Sequence, residues 1–194
     1  MQRQIESALF YRIALNKDKG SILQLSKKGQ QIQKPVDIIK DPYILEFLKI
    51  SENHSEKEIE QKIIDNIQKF LLELGKGFTF VARQYKLSFG NNHYYVDLVF
   101  YNRILKCFVL IDLKINKAVH SDVGQMNMYL NYFKAEENSK GDNAPIGIIL
   151  SANKNDIEID YAIGGISNNL FVSKYKIYLP NKRELEQKLK ELLR

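Results

Sequence analysis

Three strand-like runs follow one another in the middle of the chain, and only short turns separate them. The runs cover residues 78–89, 94–101 and 104–114, with Gly90-Asn91-Asn92 and Asn102-Arg103 between them. Two strands joined by so short a connection pair with each other in antiparallel orientation. The pattern therefore predicts an antiparallel meander of three strands, and it constrains the fold more than any other segment does.

The third run indicates where the centre of the sheet lies. It is apolar almost without interruption from Cys107 to Ile111, and a strand of this kind is normally covered on both faces. The other elements predicted from periodicity are helices at 3–15, 55–74, 122–133, 157–163 and 182–193, a helix beginning at Asp41-Pro42, and strands at 146–150 and 170–178. This order predicts an α/β fold in which a mixed central sheet lies between helices.

The helix predicted at 55–74 has clear signals at both ends. Ser55 with Glu58 three residues later forms a capping box, and Gly75 follows the last helical residue. Its apolar stripe consists of Ile59, Ile63, Ile67, Phe70 and Leu74. Glu60 falls inside this stripe, where a carboxylate is costly unless it is paired, protonated or bound to a metal. The alternative is a glutamate at the edge of the stripe whose carboxylate reaches solvent.

Two acids and a lysine lie in the second and third strand runs. Asp112 and Lys114 are two residues apart, so both side chains project from the same face of one strand. Asp97 lies on the neighbouring strand, but a turn at 102–103 would place it a few residues short of Asp112. A bend or bulge in the second strand is then needed to bring the acids together. The alternative interpretation is a set of ordinary charges at strand ends.

These three side chains match the requirements of phosphodiester hydrolysis. Two carboxylates bind a hard cation such as Mg²⁺ through oxygen and leave positions for water and phosphate. A lysine beside them orients or deprotonates the attacking water and stabilises the negative charge that develops. A further pair, Gln125 and Tyr129, lies four residues apart on one face of the following helix. That pair either faces the same site or forms a polar edge of the helix.

The order Asp97, Asp112-Leu113-Lys114 and Gln125-x-x-x-Tyr129 resembles the PD-(D/E)XK nuclease superfamily, with the helix motif of its RecB-like branch. The flanking segments resemble more closely the bacterial YhcG family; they are residues 70–78, 83–85, 96–101, 124–130 and 146–150. The resemblance is strongest over residues 56–180. It implies a restriction-endonuclease-like αβββαβ core, Mg²⁺ or Mn²⁺ as cofactor and DNA as partner.

The resemblance also implies a role for each candidate site residue. Asp97 and Asp112 resemble the metal-binding acids, Lys114 resembles the catalytic lysine, and Glu60 matches the acid on the first helix of the superfamily. Val96 stands where the nominal motif has proline, a change that the superfamily tolerates. The remaining candidates are Gln125 as a further catalytic residue, and Gln84 and Tyr129 as DNA-binding or site-supporting residues.

The first fifty residues differ from the rest of the chain. Glycines and prolines interrupt residues 20–50, which hold too few apolar side chains for a core of their own. The resemblance implies that residues 1–50 are the tail of the family's N-terminal helical domain, and that residues 51–194 form the nuclease-like domain. We therefore expect this chain to be a shortened form or a fragment of a larger protein.

Composition narrows the environment and the partners of the chain. Hydrophobic residues make up 44% and charged residues 27% of its 194 residues, and no apolar run approaches the ~20 residues of a membrane span. A single cysteine, Cys107, excludes an internal disulfide and is typical of a cytoplasmic protein. The 29 basic and 23 acidic residues give a net charge of +6. This charge weakly favours polyanionic partners.

Two functions from different classes fit these observations. The favoured hypothesis is a Mg²⁺-dependent DNA endonuclease, with branched or structured DNA as a candidate substrate and a homodimer as a candidate assembly. The alternative is a non-catalytic nucleic-acid-binding or scaffold module on the same fold. Retention of both acids and the lysine favours the enzyme, because a decayed site usually loses at least the lysine. A fragment whose activity needs the missing N-terminal region is compatible with either.

Overall fold

The computed structural model of the protein describes residues 32–51 and 53–178. In this part of the chain six strands form one sheet; they are β1 (Tyr43–Ile44), β2 (Phe78–Phe89), β3 (Asn92–Asn102), β4 (Cys107–Lys117), β5 (Ile146–Asn153) and β6 (Asn169–Lys176). The α-helices are α1 (Glu56–Asp65), α2 (Ile67–Leu74), α3 (His120–Tyr132) and α4 (Asp156–Ile163). Short 3₁₀ helices occupy Pro35–Ile38 and Glu46–Leu48, and a turn of π-helix occupies Phe133–Glu137.

The sheet is mixed, and its strand order is β1-β6-β5-β4-β3-β2. Strands β2, β3 and β4 form the predicted antiparallel meander, whereas the pairs β4–β5, β5–β6 and β1–β6 are parallel. Helices α1 and α2 precede the meander, α3 connects β4 to β5, and α4 connects β5 to β6. The predicted α/β fold with an αβββαβ core is therefore confirmed.

Each face of the sheet carries its own apolar core. Helices α1 and α2 cover one face, where their buried side chains are Ile59, Ile63, Phe70 and Leu74. Helix α3 covers the other face through Val123, Met126, Tyr129 and Leu130. Strand β4 contributes Ile111 to the first core and Leu110 to the second. This confirms the prediction that the third strand is central and covered on both faces.

The segment after Asp41-Pro42 does not form the helix predicted to begin there. Residues Tyr43–Ile44 form β1 instead, and this strand pairs with Tyr175 and Lys176 of β6. Tyr43 is fully buried in the core of the α1 face. Pairing and burial against a distant strand outweigh the local helix signal in this segment. The division of the chain at residue 50 stays a prediction.

The helix predicted at 55–74 is interrupted at Asn66, which separates α1 from α2. Asn66 has a non-helical φ of −121°, and its side-chain amide donates a hydrogen bond to the Lys62 carbonyl at 3.0 Å. A side chain that bonds to nearby backbone competes with the helix for the same acceptors. The helices predicted at 3–15 and 182–193 lie outside the described residues. No helix among the described residues is both long enough and apolar enough to cross a membrane.

The turn between β3 and β4 is longer than the sequence pattern predicted. Residues 103–106 separate the strands, and Asn102 pairs with Cys107 at the end of the ladder. The Asn102 side-chain oxygen accepts hydrogen bonds from the backbone N–H groups of Ile104 and Leu105, at 3.0 and 3.1 Å. This buried side chain therefore organises a four-residue turn, and the turn determines the register of the two strands.

Candidate active site

The register of β3 and β4 brings Asp97 and Asp112 level with each other. The ladder between the strands ends at the pair Leu98 and Ile111, and the next residue on each strand is one of the acids. The prediction that Asp97 falls short of Asp112 is wrong, because the turn is longer than predicted and shifts the register of the two strands. Asp97 Oδ2 accepts a hydrogen bond from the backbone N–H of Leu113 at 2.8 Å. The two strands thus separate at the two acids.

Gln84 interrupts the β2–β3 ladder at the position opposite Asp97. The residues on both sides of Gln84 pair with β3, but Gln84 has a left-handed backbone with a φ of 47°. Its side-chain amide donates hydrogen bonds to Glu60 Oε2 at 2.6 Å and to Asp97 Oδ1 at 3.0 Å. A left-handed backbone costs a non-glycine residue about 1–2 kcal/mol, and such strain is concentrated at functional sites. Gln84 joins the acid of α1 to the acid of β3.

Glu60 lies on the inner face of α1, where its whole residue is 7% exposed. Besides the amide of Gln84, its carboxylate has Arg83 as a neighbour, with Arg83 Nε 3.6 Å from Glu60 Oε1. The alternative that Glu60 reaches solvent from the edge of the apolar stripe is therefore wrong. The buried carboxylate is paired, as the cost of burying an acid requires.

Asp112 and Lys114 project from the same face of β4. Lys114 Nζ lies 2.8 Å from Asp112 Oδ2, and Asp112 is 5% exposed. Tyr129 of α3 is fully buried, and it is close enough to Asp112 and Lys114 for both charges to act on the pKa of its hydroxyl. Gln125 donates a hydrogen bond to the Tyr129 hydroxyl. Within the described residues no hydrogen bond joins Gln125 to Lys114, and the role of Gln125 as a further catalytic residue stays a prediction.

The three acids of the site all have raised pKa values. Burial, and after it repulsion by Asp97, raise the pKa of Asp112 to about 7, although Lys114 opposes both. Burial is also the main cause that raises the pKa values of Asp97 and Glu60. Burial lowers the pKa of Lys114, but the neighbouring carboxylates of Asp112, Glu56 and Asp122 together outweigh burial, so the net shift is upward. The raised pKa values of Glu60, Asp97 and Asp112 mean that, without a cation, the site disfavours the ionised form of each carboxylate.

The donor set fits a hard divalent cation. Asp97 and Asp112 are carboxylates on adjoining strands that repel each other, and a bound cation would remove that repulsion. Among the described residues no three His, Cys, Asp or Glu side chains are grouped closely enough to hold a metal ion by themselves. Asp97 and Asp112 alone leave most coordination positions to water and phosphate, which suits Mg²⁺ because it keeps several waters in its shell.

Two neighbours of the site were not anticipated from the sequence. Glu56 accepts a hydrogen bond from the backbone N–H of Ile115 at 3.1 Å, and its charge raises the pKa of Lys114. Arg83 lies beside the Glu60 carboxylate. The position of Glu56, four residues before Glu60 on one helical face, is a signal that could have identified it. Arg83 adjoins Gln84 in a strand, and no spacing rule singles it out.

Replacement of Gln84 separates the role of its amide from that of its backbone. We expect Gln84→Ala and Gln84→Gly each to weaken Mn²⁺ binding about tenfold, since both remove the amide that holds Glu60 and Asp97, and support of metal ligands typically contributes 10–100-fold. Gln84→Gly should be about 1 kcal/mol more stable than Gln84→Ala, because glycine tolerates the left-handed backbone. Calorimetric titration and urea unfolding measure the two effects. Unchanged Mn²⁺ affinity in Gln84→Gly would contradict the role of the amide.

Comparison with known proteins identifies relatives of the chain. A family model described as the YhcG PDDEXK nuclease domain matches residues 36–190. The chain is also 40% identical over 189 residues to an Escherichia coli (strain K12) protein named "Putative nuclease YhcG"; this match covers 97% of the chain and 50% of that protein. The chain therefore spans about half the length of the curated relative it matches.

Two solved structures are similar to part of the fold. One is a repair endonuclease from Pyrococcus abyssi, with a TM-score of 0.46 and 19% identity, covering 66% of this chain and 50% of that one. The other is EndoMS in a complex with double-stranded DNA, with a TM-score of 0.45 and 17% identity, covering 68% of this chain and 47% of that one. Similarity at this level adds nothing about the chemistry of the site.

The family assignment rests on the sequence matches. The family model covers most of the chain, including α1, the meander, α3 and every candidate site residue. The relative from Escherichia coli matches over nearly the full length of the chain. This chain belongs to the YhcG PDDEXK nuclease domain family.

Proposed function

We propose that this protein is a metal-dependent DNA endonuclease. The observation that carries the proposal is the alignment of Asp97 and Asp112 where β3 and β4 separate, with Lys114 2.8 Å from Asp112. Mg²⁺ or Mn²⁺ would be held by the two carboxylates. Membership of a nuclease family supports the reaction class.

The side chains of the site have distinct proposed roles in hydrolysis. When bound, the cation supplies Lewis-acid stabilisation of the phosphate and a water of lowered pKa. Lys114, held by Asp112, presents an ammonium group that stabilises negative charge on the scissile phosphate. Gln84 and Glu60 hold Asp97 in position through the two hydrogen bonds of the amide. Tyr129, which accepts a hydrogen bond from Gln125, would support the site from α3, and Gln125 is the further candidate for a catalytic residue.

Branched or structured DNA remains a proposed substrate class, and a homodimer a proposed assembly. Cleavage of both strands of a duplex commonly takes two sites, which is the reason to propose two copies. A cytoplasmic location is proposed from the single cysteine, Cys107, which is buried in β4.

A nicking assay tests the proposed function. We expect the 194-residue chain to cleave supercoiled plasmid, linear duplex, single-stranded DNA or a four-way junction with Mg²⁺ or Mn²⁺, and to be inactive in EDTA. Faster cleavage of the four-way junction than of linear duplex would support structured DNA as the substrate, and equal rates would favour ordinary duplex. Binding of these DNAs without any cleavage, in either metal, would favour the non-catalytic module instead.

A further inference from the structure

The β2–β3 hairpin continues past the candidate site as an arm, residues 85–96. One face of the arm packs on the α3 core through Tyr85, Leu87, Tyr94 and Val96. The side chains that alternate with these are exposed, and they are Lys86, Ser88, His93 and Tyr95. We call these four side chains the arm face. No described helix covers the arm face.

The irregular pair Gln84 and Asp97 determines which way the arm face points. Leu98 packs in the core of the α1 face, so a regular strand would direct Val96 to the same side. Val96 packs instead in the α3 core, which shows that the alternation of side chains shifts at Asp97. The arm face therefore lies on the side of the sheet that carries α1 and Glu60.

The arm face begins next to Asp97 and Glu60, which Gln84 joins, and extends away from them. Lys86 is paired directly with Tyr95, and Ser88 with His93. At about 3.3 Å per strand residue, Tyr95 and His93 lie about 7 and 13 Å along β3 from Asp97. DNA advances about 3.4 Å per nucleotide along its axis. Tyr95 and His93 would therefore lie about two and four nucleotides from a phosphate bound at Asp97.

The charge of the arm favours a polyanion. Residues 85–96 contain no Asp or Glu and one lysine, Lys86, so the arm carries a net positive charge. Among the described residues the Lys86 side chain has no ion-pair partner. Tyr95 is 48% exposed, so its ring is accessible from solvent. An exposed ring beside an unpaired cation is the combination that stacks on bases and contacts phosphate.

We propose that the arm face binds the DNA strand that flanks the scissile phosphate, with Lys86 on a phosphate and the Tyr95 ring on a sugar or base. The proposal rests on the proposed function and adds to it the surface that holds the substrate. Ser88 and His93, joined by a 3.0 Å hydrogen bond, extend the polar surface towards the tip of the arm.

Binding of a short fluorescein-labelled DNA duplex with a single-stranded overhang, followed by anisotropy in EDTA, tests the arm face without cleavage, because unpaired bases can stack on Tyr95. We expect Lys86→Ala to weaken binding by the wild-type chain about tenfold and to lower the salt slope by about one, since one phosphate contact is lost. Tyr95→Ser should weaken binding about tenfold through lost stacking, and Tyr95→Phe should bind within about twofold of wild type. The salt series runs from about 50 to 200 mM.

Lys140→Ala is the matched control, because Lys140 is exposed in the loop whose Asn143 contacts the β3–β4 turn, at the opposite end of these strands. It removes the same charge and should leave the affinity and the salt slope near wild type. If the wild-type chain binds and nicks DNA but Lys86→Ala and Tyr95→Ser behave like Lys140→Ala, the arm face is not the DNA surface while the proposed function stands. If the wild-type chain neither binds nor nicks DNA, both proposals are wrong.

Discussion

Asp112→Asn is expected to lower the rate of metal-dependent DNA cleavage at least about a thousandfold, equivalent to about 4 kcal/mol of barrier. The introduced asparagine has the shape of Asp112 but lacks the negative charge that would bind the cation and that pairs with Lys114. The fold should survive, because the substitution removes a buried carboxylate whose ionised form is penalised by burial and by Asp97. Rates of plasmid nicking in Mg²⁺ and Mn²⁺, with circular dichroism of the same samples, measure both effects.

Asp160→Asn provides the matched control for this substitution. Asp160 is exposed on α4 and is not among the main charges that act on Asp97, Asp112 or Lys114, so the same chemical change should leave the cleavage rate within about twofold of wild type. An Asp112→Asn variant that is folded and cleaves DNA at the wild-type rate would remove Asp112 from the mechanism. A variant that is unfolded would point to a structural role for the Asp112–Lys114 pair.

The second large effect concerns stability in the absence of metal. The raised pKa of Asp112, about 7, means that folding favours the protonated acid. Such a group stabilises the folded state fully below its unfolded pKa, and this contribution is lost as the pH rises through the folded pKa. In EDTA we therefore expect the free energy of unfolding of the wild type to fall relative to that of Asp112→Asn between about pH 5 and 8, by roughly 1–3 kcal/mol. Urea unfolding at several pH values measures the difference.

Addition of Mn²⁺ supplies the complementary observation. A cation that binds only the folded state stabilises it by about 2.7 kcal/mol at a hundred times its dissociation constant. At pH 8 the wild type should recover stability in Mn²⁺, whereas Asp112→Asn should change little. Comparison with the variant cancels the groups whose pKa values are lowered, such as Glu158 and Asp142. A difference between the two proteins that is independent of pH would show that Lys114 fully offsets the burial of Asp112.

Much of the fold could be predicted because it follows from local pattern. The meander is encoded by short turns between strand-like runs, and the inward position of Glu60 by its place in a helical stripe. The common face of Asp112 and Lys114 follows from the two-residue period of a strand. Each of these features depends on residues within a few positions of one another, which is the range over which periodicity is informative.

The features that were missed depend on contacts between distant segments or on single side chains. The register of Asp97 and Asp112 depends on Asn102, whose oxygen organises a longer turn than the strand pattern indicated. The left-handed backbone of Gln84 has no signature, because residues other than glycine rarely adopt it. Strand β1 exists through its pairing with β6, and no local pattern encodes that pairing.

The central claim is that Asp97 and Asp112 together bind the cation that supports cleavage. The most direct measurement is the anomalous difference map of crystals soaked in Mn²⁺, since Mn²⁺ scatters anomalously and takes the same oxygen ligands as Mg²⁺. We predict a single strong peak bridging the carboxylates of Asp97 and Asp112, with Lys114 beside it, and no such peak in Asp112→Asn. A map in which Mn²⁺ occupies other sites while the space between the two carboxylates holds no peak would contradict this claim.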